Sequence, residues 1–150
     1  MLAKVTFQQV PYRGSAPALT DLVAGSVDVM FDNLGVALPL VQGGQLKLLA
    51  VASAKPVVTL AGVPTVAQTL PGFESVTWFA LVAPPNTPKV IVEKINADVN
   101  DALHQQEISA GLARLSAEPV GGTIEQTAAY MRAEVGRWHA VIKAANVRLE

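Results

Sequence analysis

The first fifty residues alternate short apolar runs with glycine-punctuated stretches of helical pattern. That alternation restricts the chain to a layered α/β fold. Val5 to Val10 reads as a strand, with Val5 and Phe7 on one face, and Pro11, Gly14 and Ser15 punctuate its end. Ser15 is placed to cap a helix whose first turn holds Pro17, where a missing N–H costs nothing. Leu19, Leu22 and Val23 face inward and Gly25 ends the helix. Val27 to Phe31 is a second apolar run. A helix from about Gly35 to Gln42 follows, stopped by Gly43 and Gly44, and Leu46 to Ala52 is the third run. Runs this short and this uniformly apolar suit strands buried on both faces, and right-handed crossovers make their sheet parallel.

Beyond Lys55 the chain is a proline- and glycine-bearing loop with one helical turn at Thr65 to Thr69. Thr77 to Ala83 is a fourth strand, and Pro84, Pro85 and Pro88 mark a boundary. Residues 1–83 therefore form a partial α/β sheet and residues 84–150 a helical segment. Thr87 caps and Pro88 starts a helix to about Leu103, with Ile91, Ile95 and Val99 on one side. A shorter helix carries Ile108, Leu112 and Leu115, and Glu118 to Val120 is extended. Thr123 and Gln126 make a capping box for the last helix. In that helix Ile124, Ala128, Met131, Val135, Trp138, Ile142 and Ala145 form one apolar stripe. The stripe is either packed on its own core or is an interface with another lobe or chain.

Composition removes several functions. The hydrophobic fraction is 51% and the formal net charge is -1, so the chain can bury a core and has no basic surplus to attract nucleic acid. No cysteine is present, which excludes disulfides, thiol nucleophiles and thiolate metal sites. His104 and His139 lie far apart on separate helices, and no metal or cofactor is expected. Ser15, Ser26, Ser53 and Ser75 lie outside any nucleophile elbow, and no glycine-rich phosphate loop occurs. Asp28 and Asp32 share a strand face but stand ~13 Å apart at strand rise, too far for a catalytic carboxyl pair. No catalytic residue is assigned. The segment Met1 to Gln9 lacks the apolar core of a signal peptide, and no apolar stretch is long enough to span a bilayer.

Two turns remain. Tyr12, Arg13, Gly14, Ser15, Ala16 and Pro17 leave a strand and enter a helix, where unpaired N–H groups and the helix dipole favour an anion. Gly14, Ser15 and Ala16 let a ligand approach the backbone closely. Asp32 and Asn33 end the next strand; in a parallel sheet they lie on the same edge, where ligands of open α/β sheets bind. Each turn is also readable as an ordinary helix cap. Trp78 and Phe79 either line a pocket wall or pack in a core.

The segment from Val10 to Leu19, with Asp21-Leu22, Gly25 and Val27-Asp28, resembles the tripartite tricarboxylate transporter substrate-binding proteins, the Bug or TctC family. Phe31-Asp32-Asn33, Leu49-Ala50-Val51 with Ser53, Val63-Pro64-Thr65, Trp78-Phe79 with Leu81, Ala83-Pro84, Thr87-Pro88 and Glu118-Pro119 continue the resemblance in order, to about Val147. It implies a partial periplasmic-binding-protein-like fold of type II: a short parallel sheet, flanking helices and a long C-terminal helix. It also implies an extracytoplasmic, periplasmic solute-binding protein, or a fragment of one, that captures a small carboxylate and delivers it to membrane transporter subunits without doing chemistry. The ligand-binding positions would be Tyr12, Gly14, Ser15, Ala16, Asp32 and Asn33. Family members are about twice as long and carry a signal peptide, a first lobe and the opening strand and helix of the second lobe before the Val-Pro-Tyr segment. In the family the helices after Pro88 would return to that first lobe, so an uncovered stripe predicts a homo-oligomer through the C-terminal helix. The alternatives are a ligand-sensing domain related to LysR-type effector domains, or a dimeric remnant that binds nothing.

Overall fold

A computed structural model describes residues 3–145. The chain divides into two compact units between Trp78 and Phe79. In unit 1, α1 spans Ser15–Val23 and α2 spans Leu34–Gln42, and a 3-10 turn at Val66–Gln68 falls where a single helical turn was expected. In unit 2, α3 spans Lys89–Leu103, α4 spans Gln106–Arg114 and α5 spans Ile124–Ala145.

The helix boundaries follow local chemistry. Gly14, not Ser15, caps α1: its φ of 150° suits glycine, and Ser15 becomes the first helical residue. Its hydroxyl is thereby free to bond elsewhere. Pro88 caps α3, while Thr87 Oγ1 donates to the Pro84 carbonyl at 2.8 Å and so serves the preceding turn. The capping box at α5 forms as expected: Thr123 N donates to Gln126 Oε1 at 2.8 Å, and Gln126 N to Thr123 Oγ1 at 3.1 Å.

The expected strands differ most. Residues 4–10, 29–33, 47–50 and 73–78 run without turn or bend, yet no ladder joins any of the described residues. The parallel pairing amounts to one bridge, Val51 with Thr65, in which Val51 N donates to Pro64 O and Val66 N to Val51 O, each at 2.9 Å. Ser75 N extends it by donating to Ala52 O at 2.9 Å. A strand makes no backbone bonds within itself, so its pattern yields a ladder only when a neighbouring strand lies alongside in register. The buried residues of unit 1 are Ala18, Leu19, Val51 and Thr65. Phe31 and Phe73 contact each other with ring centroids 6.4 Å apart.

In unit 2 the glycines before α5 are clamped by α3. Gly122 N donates to Asn100 Oδ1 at 2.8 Å, and Asn100 Nδ2 returns to Gly122 O at 3.0 Å and to Asn96 O at 2.7 Å. Asn96 Nδ2 adds a bond to Gly122 O at 3.1 Å. The α5 stripe divides. Ile124, Ala128 and Met131 are half-buried, whereas Val135 is 68% exposed, and Trp138, Ile142 and Ala145 are exposed as well. The buried residue of α5 is Glu134, which the stripe omits. Arg137 satisfies it through Nε at 2.8 Å and Nη2 at 2.7 Å, and Trp138 Nε1 donates at 3.2 Å. Burying a carboxylate requires such partners.

Candidate functional site

The two sequence-predicted turns meet. Ser15 Oγ donates to Asp32 Oδ1 at 2.7 Å, tying the start of α1 to the residue just before the cap of α2. The same oxygen accepts the Asn33 N–H at 2.8 Å. Thr77 Oγ1 donates to Asn33 Oδ1 at 2.7 Å and brings a third segment to the same edge. Asn33 is the cap residue of α2, but its side chain makes no cap bond. Ser15, Asp32 and Asn33 are thus gathered into one cluster. Gly14 and Ala16 flank it along the chain.

Tyr12 is placed differently. Its hydroxyl donates to Asp21 Oδ2 on α1 at 2.7 Å. That hydrogen bond, with burial and the Asp21 charge behind it, holds the phenol above the ordinary value of 10.0. Tyr12 therefore fastens the strand end to α1 through a protonated hydroxyl.

Both helix starts lack a side-chain cap and an acidic residue in the first turn. Helix geometry leaves the N–H groups of Ser15 and Ala16 in α1, and of Leu34 and Gly35 in α2, without intrahelical acceptors, while Pro17 has none to offer. Each helix start thus offers two backbone donors and a positive dipole end, and the Ser15–Asp32 bond ties the two starts together. Asp32 Oδ2 is buried without a hydrogen-bond partner, at a cost of about 1–3 kcal/mol for an orphaned polar group. The free N–H groups suit an anionic or hydrogen-bond-accepting group, while the orphaned Asp32 oxygen calls for a hydrogen-bond donor. Among the described residues no three His, Cys, Asp or Glu side chains gather to hold a metal.

Sequence reasoning missed Thr77, whose position just before Trp78 was read only as the start of a strand. It also missed Asn96 and Asn100, since an asparagine on an amphipathic helix gives no sign of which loop it will clamp. Trp78 is 37% exposed and Phe79 is 92% exposed, so neither is packed in a core. Beside the cluster, a groove of about 480 Å³ between α1 and α2 is lined mainly by Leu19, Val23, Val36, Pro39 and Leu40.

This backbone is that of a periplasmic binding protein. It superposes on the solved periplasmic binding protein BugD with a TM-score of 0.80 and 31% identity, covering 97% of this chain and 50% of that one. On R. palustris Rpa4515, solved with adipate, the TM-score is 0.84 at 38% identity, covering 97% of this chain and 49% of that one. The family described as the tripartite tricarboxylate transporter family receptor matches residues 1–147, and the chain belongs to it, the Bug/TctC family. A relative from Pseudomonas sp. (strain P51), the UPF0065 protein in the tcbD-tcbE intergenic region, is 38% identical over 93% of this chain. The match covers 42% of that relative, so this chain spans less than half its length.

Proposed function

We propose that this chain supplies one wall of the carboxylate-binding cleft of a periplasmic, non-catalytic receptor that serves a tripartite tricarboxylate transporter. The observation that carries the reading is the 2.7 Å bond from Ser15 to Asp32, which brings two uncapped helix starts to one edge. Uncapped N–H groups at converging helix starts suit a carboxylate, and Gly14 leaves room for it beside the backbone. Ser15, Ala16, Gly14, Asp32 and Asn33 form the wall, and Tyr12 braces it against α1 through Asp21. The adipate in the Rpa4515 structure makes a dicarboxylate the natural first probe.

Thermal unfolding with a panel of mono-, di- and tricarboxylates tests this. A ligand at a hundredfold excess over its Kd stabilises by about 2.7 kcal/mol, which raises the melting temperature of a chain this size by roughly 5–10 °C. Adipate or a congener is expected to give such a shift, and Ser15→Ala to reduce it. A panel that leaves the melting temperature unchanged within a degree counts against a binding wall in this chain. We further read the exposed half of α5 as a contact between copies, because Val135, Trp138 and Ile142 stand uncovered on a chain whose net charge of -1 opposes association very little.

A further inference from the structure

The hydroxyls around the two turns are all turned inward. Tyr12 donates to Asp21 Oδ2, Ser15 to Asp32 Oδ1 and Thr77 to Asn33 Oδ1, each at 2.7 Å. A hydroxyl carries one proton, so none of the three has a donor left for a ligand. Asn33 differs. Its side-chain amide carries two N–H donors on Nδ2, and only its oxygen is held, by Thr77. Asn33 is exposed, and its Nδ2 bonds no group among the described residues. Of these four side chains, it alone keeps a donor open to a ligand.

Which end of that amide faces outward decides what it can bind. Turned one way, Asn33 offers two N–H groups; turned the other, it offers a carbonyl oxygen. Asp32 stands beside it, and its Oδ1 accepts the Asn33 backbone N–H at 2.8 Å. An outward Asn33 oxygen next to that carboxylate would set two acceptors against an incoming anion and disfavour it. Thr77 settles the choice by donating to Oδ1. The start of α2 does not settle it, because the Asn33 side chain makes no cap bond there. Thr77 comes from 44 residues along the chain, on a segment that is itself fixed. Ser75 N donates to Ala52 O at 2.9 Å, and Ala52 follows Val51, which is buried and paired with the buried Thr65.

We propose that Thr77 is a positioning residue for ligand capture: its bond to Asn33 Oδ1 turns Asn33 Nδ2 outward as a donor to a ligand oxygen. This rests on the carboxylate-binding wall proposed above, and it adds to that wall a third chain segment and a rule of selection. The ligand group that meets Asn33 is an acceptor, a carboxylate or a carbonyl. An ammonium in the same place would meet a donor and gain no bond from it. Thr77 touches no ligand in this arrangement and acts through the amide alone.

The test is calorimetric titration of the 150-residue chain with adipate, the acid in the Rpa4515 structure. The parent is compared with Thr77→Val, Thr77→Ser, Asn33→Ala and the chain carrying both Thr77→Val and Asn33→Ala. Thr77→Val keeps the side-chain shape and removes the donor. It is expected to raise the Kd about fivefold, the worth of one neutral hydrogen bond, and Thr77→Ser to stay within about twofold of the parent. Asn33→Ala loses a bond to a charged group and is expected to raise the Kd about tenfold or more. Once Asn33 is gone, Thr77→Val should have no further effect, an outcome that a merely structural Thr77 would not give. In amide NMR spectra the Asn33 side-chain pair, identified by its loss in Asn33→Ala, is expected to shift when adipate is added to the parent. Equal binding by the parent and Thr77→Val, or a Thr77→Val penalty that persists without Asn33, would overturn the inference and leave the wall standing. A parent chain that takes up no adipate, with the Asn33 pair unmoved, would overturn both.

Discussion

Gly121→Ala is expected to be among the most damaging small substitutions in unit 2, and its cost follows from geometry. Gly121 has a φ of 64°, a left-handed conformation that costs an alanine about 1–2 kcal/mol. The new Cβ would stand 2.6 Å from Asn100 Oδ1. That oxygen ends a flexible side chain, but it cannot move freely, because the Asn100 amide bonds Gly122 N, Gly122 O and Asn96 O. Displacing it forfeits two or three hydrogen bonds at about 1 kcal/mol each. The total is roughly 3–5 kcal/mol. Gly136, in the middle of α5 with no atom within 4 Å of an added Cβ, supplies the opposite sign: alanine there gains about 1 kcal/mol of helix propensity. Urea unfolding followed by Trp138 fluorescence in a Trp78→Phe background reports on unit 2. In an Asn100→Ala chain the obstruction is gone, so Gly121→Ala should then cost only its backbone strain. Additive costs for the two substitutions, or a Gly121→Ala chain as stable as its parent, would refute the clamp.

Ser15→Ala removes the donor that joins the two turns. It is expected to lower the stability of unit 1 by about 1–2 kcal/mol by Trp78 fluorescence, with the chemical shifts of Asn33 and Thr77 moving as well. The Tyr12 phenol, held up chiefly by its bond to Asp21, gives a pH prediction. Its folded value is raised, so the Tyr12–Asp21 contribution is fully present below pH 10 and is lost as pH rises through the folded value. The ultraviolet titration of Tyr12 in an Asp21→Asn chain should fall back toward 10.0, and an unmoved midpoint would show the bond to be unimportant. Light scattering at tens of micromolar is expected to show self-association that Val135→Lys weakens, whereas a monomeric parent chain would remove α5 as a contact between copies.

What the sequence made legible is what short-range chemistry decides. Helix existence, the capping box at Thr123 and Gln126 and the glycine stops were all readable, because each depends on residues within one turn. The start of α1 was displaced by one residue, since Gly14 and Ser15 compete for the cap and the serine hydroxyl finds a better acceptor in Asp32. Ser15 and Asp32 were expected on one edge of a parallel sheet; they do meet, but through a side-chain bond and not through a ladder between the segments that precede them. The roles of Thr77 and Asn100 were not, because their partners lie far away in sequence. The long stripe on α5 was read as one face, yet a satisfied Glu134 is buried beside an exposed Val135. Periodicity alone does not distinguish a covered face from one awaiting its cover.

The unpaired strands and the candidate site are parts of one physical problem. The turns that hold the site are the ends of segments 4–10 and 29–33, which no ladder fixes. The relative positions of Ser15, Asp32, Asn33 and Thr77 therefore rest on a few side-chain bonds. Each contributes about 1 kcal/mol net, and somewhat more where the Asp32 carboxylate accepts. A carboxylate placed between two helix starts is sensitive to their spacing, since charge-assisted hydrogen bonds need donor–acceptor distances near 2.7–2.9 Å. An interaction that fixes these segments with the turns in binding geometry is expected to raise affinity there, because less ordering is left for the ligand to impose. Linkage makes the effect reciprocal: a carboxylate held across Ser15 and Asn33, as proposed above, is expected to order the two turns by the same free energy. Ordering of these segments and the spacing of the two helix starts are therefore coupled, with the Ser15–Asp32 bond as the joint through which each is felt by the other.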